Sequence, residues 1–172
     1  MFREINPFEL KKTPFEYIGK DWALLSAQKP DGEVNAMTVS WGGMGVLWNK
    51  NVFFCFVRPQ RHTFGFTEAG DRISLCFFDD KFRKKLAFCG SVSGRDTDKI
   101  KDCGFTVLRD GGIYYDECRL AITGRKIYAD VLKKEKFINE NPEQWYKDDY
   151  HTMYICEIEK ILINENDINI DN

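Results

Sequence analysis

Residues 52–57 (VFFCFV) are six apolar residues in a row, with Asn51 before them and Arg58 after. A run of that length between turn signals reads as a strand covered on both faces. Directly after it comes Arg58-Pro59-Gln60-Arg61-His62-Thr63, at the mouth of a helix expected over residues 60–69 and closed by Gly70. Before it stands a polar strand, expected over 34–41, and the glycine cluster Gly42-Gly43-Met44-Gly45. A chain that needed only a core would not gather Asn35, Thr38, Ser40, two arginines and a histidine around its most apolar strand. That concentration of donors suits a planar ligand carrying an anion.

The rest of the chain reads as short strands joined by turns. Strand 22–28 and strand 34–41 form a hairpin through Lys29-Pro30-Asp31-Gly32-Glu33, where Pro presets φ and Gly supplies a positive one. Gly42–Gly45 is expected to break the second strand, either for close backbone approach or as a bend. Further strands are expected at 72–78, 105–108, 113–116, 118–131 and 153–163. Asp110-Gly111-Gly112 is a hairpin turn, and Gly124 marks a bulge. Helices are expected at 81–89, with Asp79 and Asp80 as N-cap candidates and Phe82, Leu86 and Cys89 inward. Others are expected at 97–103, with Gly104 at its C-terminal end, and as short turns over 132–139 and from 141 with Pro142 in the first turn. Residues 1–20 read as an irregular arm with short helical pieces after Pro7 and Pro14, and 164–172 as a frayed tail. Seven or eight mostly antiparallel strands with no repeated βαβ spacing predict a mainly β, Greek-key barrel with short helices.

Length and composition narrow the function. The 172 residues fit one domain, and at that size a core needs neither disulfide nor metal. Aromatic residues make up 15% of the chain, which suits packing on pleated sheet. The net charge of −2 lacks the basic excess of a nucleic-acid binder. With no apolar run long enough to span a membrane and no signal-peptide core, the expected compartment is the cytoplasm. The six cysteines include no C-x-x-C pair and read as reduced structural thiols. Cys89 and Cys103, near Lys and Arg, come nearest to the setting a redox thiol needs. Two histidines, neither in H-E-x-x-H, argue against a metal site. No G-x-S-x-G elbow supports a hydrolytic triad.

Two cationic turns are the main chemical signal. In the first, Arg58, Arg61, His62 and Thr63 stand at a helix start, where free N–H groups favour an anion and arginine adds charge-assisted bonds. The second is Ser93-Gly94-Arg95-Asp96-Thr97-Asp98-Lys99. Either alone could be a solvated helix end; both together, beside the polar strand, point to a phosphate. Along that strand Val34, Ala36, Thr38 and Ser40 share one face, and Asn35, Met37, Val39 and Trp41 the other. Its amides and hydroxyls match the carbonyls and ring nitrogens of a flavin. Trp41 or Trp48 would either cover a ring or pack in the core.

These segments resemble the flavin reductase-like family with the FMN-binding split barrel, and within it the flavoredoxin-like branch. The resemblance runs from about Trp22 to Ile161. It rests on Asn35-Ala36-Met37-Thr38-Val39-Ser40-Trp41-Gly42, on Arg58-Pro59-Gln60-Arg61-His62-Thr63 and on the 93–99 turn. It implies a homodimer with noncovalent FMN. Asn35, Thr38, Ser40 and Trp41 would line the ring and ribityl chain, and Arg58, Arg61, His62, Thr63 and Lys99 the phosphate. Ala36, Met37 and Ser93, on the same segments, would be further cofactor-binding positions. His62 departs from the family, where an aromatic such as Tyr is common.

Three functions follow as expectations. The first is an FMN-dependent oxidoreductase with NAD(P)H as electron donor. With no G-x-G-x-x-G in a βαβ unit, the nucleotide would dock only on the barrel surface. The second is a flavoredoxin-type carrier that exchanges electrons with a redox protein. The third is a small barrel that binds another anionic ligand, or only its own dimer partner.

Overall fold

A computed structural model describes residues 1–167 of the chain. Its strands are β1 (Phe2–Glu4), β2 (Ala23–Gln28), β3 (Val34–Val39), β4 (Gly42–Leu47), β5 (Lys50–Val57), β6 (Arg72–Phe77), β7 (Val107–Arg109), β8 (Ile113–Tyr115), β9 (Leu120–Val131) and β10 (Thr152–Asn164). The α-helices are α1 (His62–Ala69), α2 (Arg83–Ser91) and α3 (Lys99–Asp102), and the arm carries the expected helical pieces, a 3-10 turn at Pro7–Glu9 and a π-helical segment at Phe15–Asp21. Eight strands form one antiparallel sheet in the order β3-β2-β6-β9-β10-β5-β4, with β1 added to β10, while β7 and β8 pair separately.

Period-two alternation curls this sheet around one interior. Leu25 of β2, Met37 and Val39 of β3, Phe53 and Cys55 of β5, Leu75 of β6, Ile122 of β9 and Tyr154 of β10 all belong to one buried cluster, with Met44 of β4 packed against it. Each large apolar side chain buried there contributes about 1.5–3 kcal/mol. β3 and β4 lie at opposite ends of the hydrogen-bonded path, yet only Ser40 and Trp41 separate them in the chain. The barrel is therefore split at that corner. Gly42 takes φ +152° there, and a Cβ on it would sit 2.6 Å from the carbonyl oxygen of Phe54, so only glycine fits.

The outward residues of β2, β3, β6 and β9 make a second core. Leu24, Ala36, Cys76 and Ala121 pack with Leu86 and Cys89 of α2, Ile100 of α3, Cys103, and Tyr114 and Tyr115 of β8. This layer fastens α2 and α3 onto the back of β3. Asp98 caps α3 by accepting from the Lys101 amide at 3.1 Å.

The antiparallel barrel with short helices is as expected, and several boundaries differ. The second strand does break at the glycine cluster, with close backbone approach at Gly42, but the cluster is itself part of a paired strand, β4, joined to β5 by a two-residue turn in which Trp48 and Asn49 both take positive φ. Trp48 is thus an exposed turn residue, not a strand residue. The expected strand over 34–41 ends at Val39, and α3 starts at Lys99, two residues later than the expected helix. Neither Asp79 nor Asp80 caps α2; a 3-10 turn over Asp80–Phe82 leads into it instead. The N-terminal arm contributes β1, and Asn164 is the last residue of β10, buried and paired with Phe2. The rest of the expected frayed tail, beyond residue 167, lies outside the described residues. At Gly124 the register with β10 shifts between Ile158 and Lys160, so the extra residue lies on β10 and Gly124 faces it. Among the described residues, no helix is long and apolar enough to cross a membrane.

Candidate anion and ring site

The two cationic turns meet. Asn35 of β3 is buried and donates from Nδ2 to Thr63 Oγ1 of α1 at 3.0 Å, which fixes the start of the helix against the strand. Gly94 closes the second turn onto this pair. A Cβ on Gly94 would stand 2.5 Å from Asn35 Oδ1 and 2.9 Å from His62 Cδ2. The side-chain-free residue lets the 91–95 loop seat against both elements. Arg95 ties the loops together by donating to the Gln60 carbonyl at 3.1 Å.

Between them lies a cleft of about 110 Å3 lined by Gln60, Arg61, His62, Thr63, Ser91, Val92, Ser93, Gly94 and Lys99. That is room for about three or four waters, enough for one phosphate and too small for a flavin ring. A wider groove of about 780 Å3 runs between the end of β2 and the β7–β8 turn. It has fewer unpaired donors: of its three cations, Lys29 is paired with Glu33 and Arg72 with Glu159, leaving Arg109 without an ion pair among the described residues.

The charges of the cleft are held without being neutralised. Arg61 donates to the Gly90 carbonyl at 2.9 Å, and Lys99, 3% exposed, to the Cys89 carbonyl at 3.1 Å. Among the described residues neither forms an ion pair. Burial lowers the Lys99 pKa, and nearby Arg61 lowers it further. Arg61 is lowered by burial and by Arg58. His62 is lowered by burial, then by the positive charges of Arg95 and Lys29. In all three, burial is the main cause and neighbouring positive charge adds to it. Arg61 also provides no side-chain cap for α1, leaving first-turn amides of the helix to an anion.

Other expected site residues are placed differently. Arg58 pairs with Asp149 at 2.8 Å, donates to the Trp145 carbonyl at 2.8 Å and lies over the Tyr146 ring. It is drawn to the 142–151 segment and does not line the cleft. Thr38 donates its hydroxyl to the Leu86 carbonyl at 2.5 Å, anchoring α2. Ala36 packs in the outer core and Met37 in the barrel interior, so the strand offers a ligand its backbone at those positions. β3 has a ladder partner on one side only, β2, among the described strands. Ser40 and Trp41 stand exposed at the split corner. Trp41 is 47% exposed and packs edge-on against Trp145 at 6.0 Å, with His151 at 5.4 Å.

Sequence reasoning missed Arg95 as a linker of the two turns, although its turn was singled out. It also missed the aromatic group of Trp145, Tyr146 and His151. His151 Nδ1 shares a 2.9 Å hydrogen bond with the Tyr146 hydroxyl. Burial, aided by Arg58, pushes its pKa down to about 4, so the imidazole is neutral at pH 7.

The architecture is the split barrel of flavin reductase-like proteins. No protein-family model and no curated protein matches the chain by sequence. Among solved structures, it is similar to flavoredoxin of Desulfovibrio vulgaris (Miyazaki F), with TM-score 0.68 and 17% identity over 88% of this chain and 73% of that one. An FMN-binding domain of a flavin reductases-like enzyme from Shewanella baltica superposes with TM-score 0.69 and 13% identity, over 99% and 81%. Flavoredoxin from Methanosarcina acetivorans gives TM-score 0.66 and 22% identity, over 84% and 69%.

His151 yields a pH test. Its folded pKa of about 4 lies below the ordinary 6.5. Its stabilising effect is complete above pH 6.5. As pH falls from 6.5 toward 4 the unfolded chain takes up a proton that the folded chain does not, and the effect is lost, by about 3 kcal/mol in all. Denaturant titrations across this range should show that fall, and His151→Gln should flatten it relative to the wild type. Parallel curves for both proteins would assign the slope elsewhere.

Proposed function

We propose that this protein binds FMN noncovalently and passes electrons through it as an oxidoreductase of flavin reductase-like type. The observation that carries the reading is the cleft in which Arg61 and Lys99 face a common space, oriented by carbonyls and lacking a carboxylate partner. Such a site favours a dianion at a helix start. Arg61, Lys99, His62, Thr63 and Ser93 would hold the phosphate. The free edge of β3, Ser40 and Trp41 would receive the ring system. The structural neighbours, flavoredoxin and an FMN-binding flavin reductases-like domain, support the same choice. When bound, the flavin supplies the electron chemistry, and the protein supplies binding, orientation and local charge. His151, neutral at pH 7, places an uncharged ring beside Trp41.

The discriminating variant removes the phosphate contacts alone. Arg61→Ala with Lys99→Ala should weaken FMN at least about a hundredfold, since two charge-assisted bonds of about 1.5–3 kcal/mol each are lost, and leave riboflavin nearly unchanged. Calorimetric or fluorescence titration checks this. Equal losses for both ligands would put the phosphate elsewhere.

A flavoredoxin-type carrier, which takes electrons from a protein and not from NAD(P)H, is the second reading. The likeness to two flavoredoxins supports it. Stopped-flow mixing of the FMN-loaded protein with NADH or NADPH separates the two. Rapid bleaching of the visible flavin band is expected for the reductase, and an unchanged spectrum would select the carrier.

A second copy of the chain is the proposed partner. Phe54 and Phe56 of β5 pair with Ile155 and Met153 of β10, and Ile155 with Tyr128 of β9, so these five side chains share one outward face. A contiguous apolar face on a sheet suits an isologous interface. Sedimentation at twice the monomer mass is expected, with Phe56→Asp shifting it toward the monomer. A wild-type monomer at micromolar concentration would refute the dimer.

A further inference from the structure

We propose that Cys89 and Cys103 are an oxidation site: they form an intramolecular disulfide that clamps the anion-binding loop. The two Sγ atoms stand 3.6 Å apart, and both residues are buried. A disulfide bond is about 2.05 Å long, so the sulfurs need to close by roughly 1.5 Å. Each cysteine ends a helix: Cys89 is in the last turn of α2, and Cys103 directly follows α3. The chain between them holds the whole of the second cationic turn.

The crosslink acts where both cations of the cleft are anchored. The Cys89 carbonyl accepts from Lys99, and the next carbonyl, that of Gly90, accepts from Arg61. Lys85 reaches across from α2 to the Cys103 carbonyl at 2.5 Å, so the two helix ends are already joined by polar contacts. A covalent bond there fixes both ends of the loop and removes conformations in which its donors point elsewhere.

The chemistry balances with a hydroperoxide as oxidant. The sulfur of Cys103, the less buried of the two at 4% exposure against 0%, attacks one peroxide oxygen. The O–O bond breaks, and a sulfenic acid forms as hydroxide or alkoxide leaves and takes up the thiol's proton. The Cys89 sulfur then displaces the sulfenic oxygen. The S–S bond forms, the Cys89 proton leaves with that oxygen, and water departs. With hydrogen peroxide, two thiols and one peroxide give one disulfide and two waters. Burial, and the neighbouring Cys103, push the Cys89 thiol up to about 12, so it stays protonated until that second step. Two other thiol neighbours, Cys55 beside Cys156 and Cys76 beside Cys118, serve as internal comparisons. Cys55, Cys156 and Cys76 are held in strands of the main sheet, and neither pair adjoins the cleft.

The test uses the full chain, purified under reductant and then treated with hydrogen peroxide. Non-reducing peptide mapping should find a Cys89–Cys103 crosslink, with a mass lower by two hydrogens and restored by reductant. Hydrogen exchange across residues 90–102 should slow about tenfold or more in the oxidised protein. Both effects should vanish in Cys103→Ser and in Cys89→Ala, the second variant guarding against misfolding of the first. A crosslink between other cysteines, sulfinic acid on Cys103 without a crosslink, or unchanged exchange across the loop would overturn the proposal. The further expectation, that FMN binds several-fold more tightly to the oxidised form, rests on the flavin reading. If neither form binds FMN while the crosslink and slowed exchange appear, the flavin reading fails and the disulfide stands.

Discussion

Two positive charges face one small cleft because peptide carbonyls, not carboxylates, hold them. A carboxylate would have oriented Arg61 or Lys99 equally well and cancelled its field. A carbonyl supplies a dipole, fixes direction and leaves the net charge intact. Everything else about the site follows from this choice. The carbonyls are those of residues 89 and 90, at the end of α2. That helix is placed by Leu86 and Cys89 in the outer core and by the Thr38 hydroxyl on the Leu86 carbonyl. The core behind β3 thus sets the position of charges in front of α1.

The division of labour along β3 is sharper than its polar composition suggests. Asn35 and Thr38 look like ligand donors, yet each bonds to a neighbouring element of the protein. Their role is to bring α1 and α2 to the strand. Arg58 behaves similarly. Its guanidinium ties the 142–151 segment to the end of β5 through Asp149 and the Trp145 carbonyl. Of the donors that cluster in the sequence, some hold the cleft's walls and others face its interior.

Much of the architecture was legible in the chain because local rules govern it. The alternation of β3, the 29–33 turn and the inward stripe of α2 follow directly from residue spacing. The β4 strand was not legible. Glycine-rich residues 42–45 carry no hydrophobic period, and their conformation is set by pairing with β5. β1 escaped for a related reason: three residues carry too little pattern, and their partner lies at the far end of β10. At the site, the convergence of the two turns could be inferred from their charge. The diversion of Arg58 could not, since Asp149 is 91 residues away in the chain. The fit of Gly94 against Asn35 and His62 is likewise a property of three dimensions, although the glycine itself was visible.

The seam between β3 and β4 has a mechanical meaning. Every other junction along the main path of the barrel wall is a row of backbone hydrogen bonds, so prising it apart exposes a series of peptide groups at once. At the Ser40–Trp41 corner no such row joins the two strands. The chain link through Ser40 and Trp41, side chains such as Met44 packed on the interior, and Ile18 beside Gly42 span the seam there. Among the described strands, it is the one seam of the main path without a ladder across it.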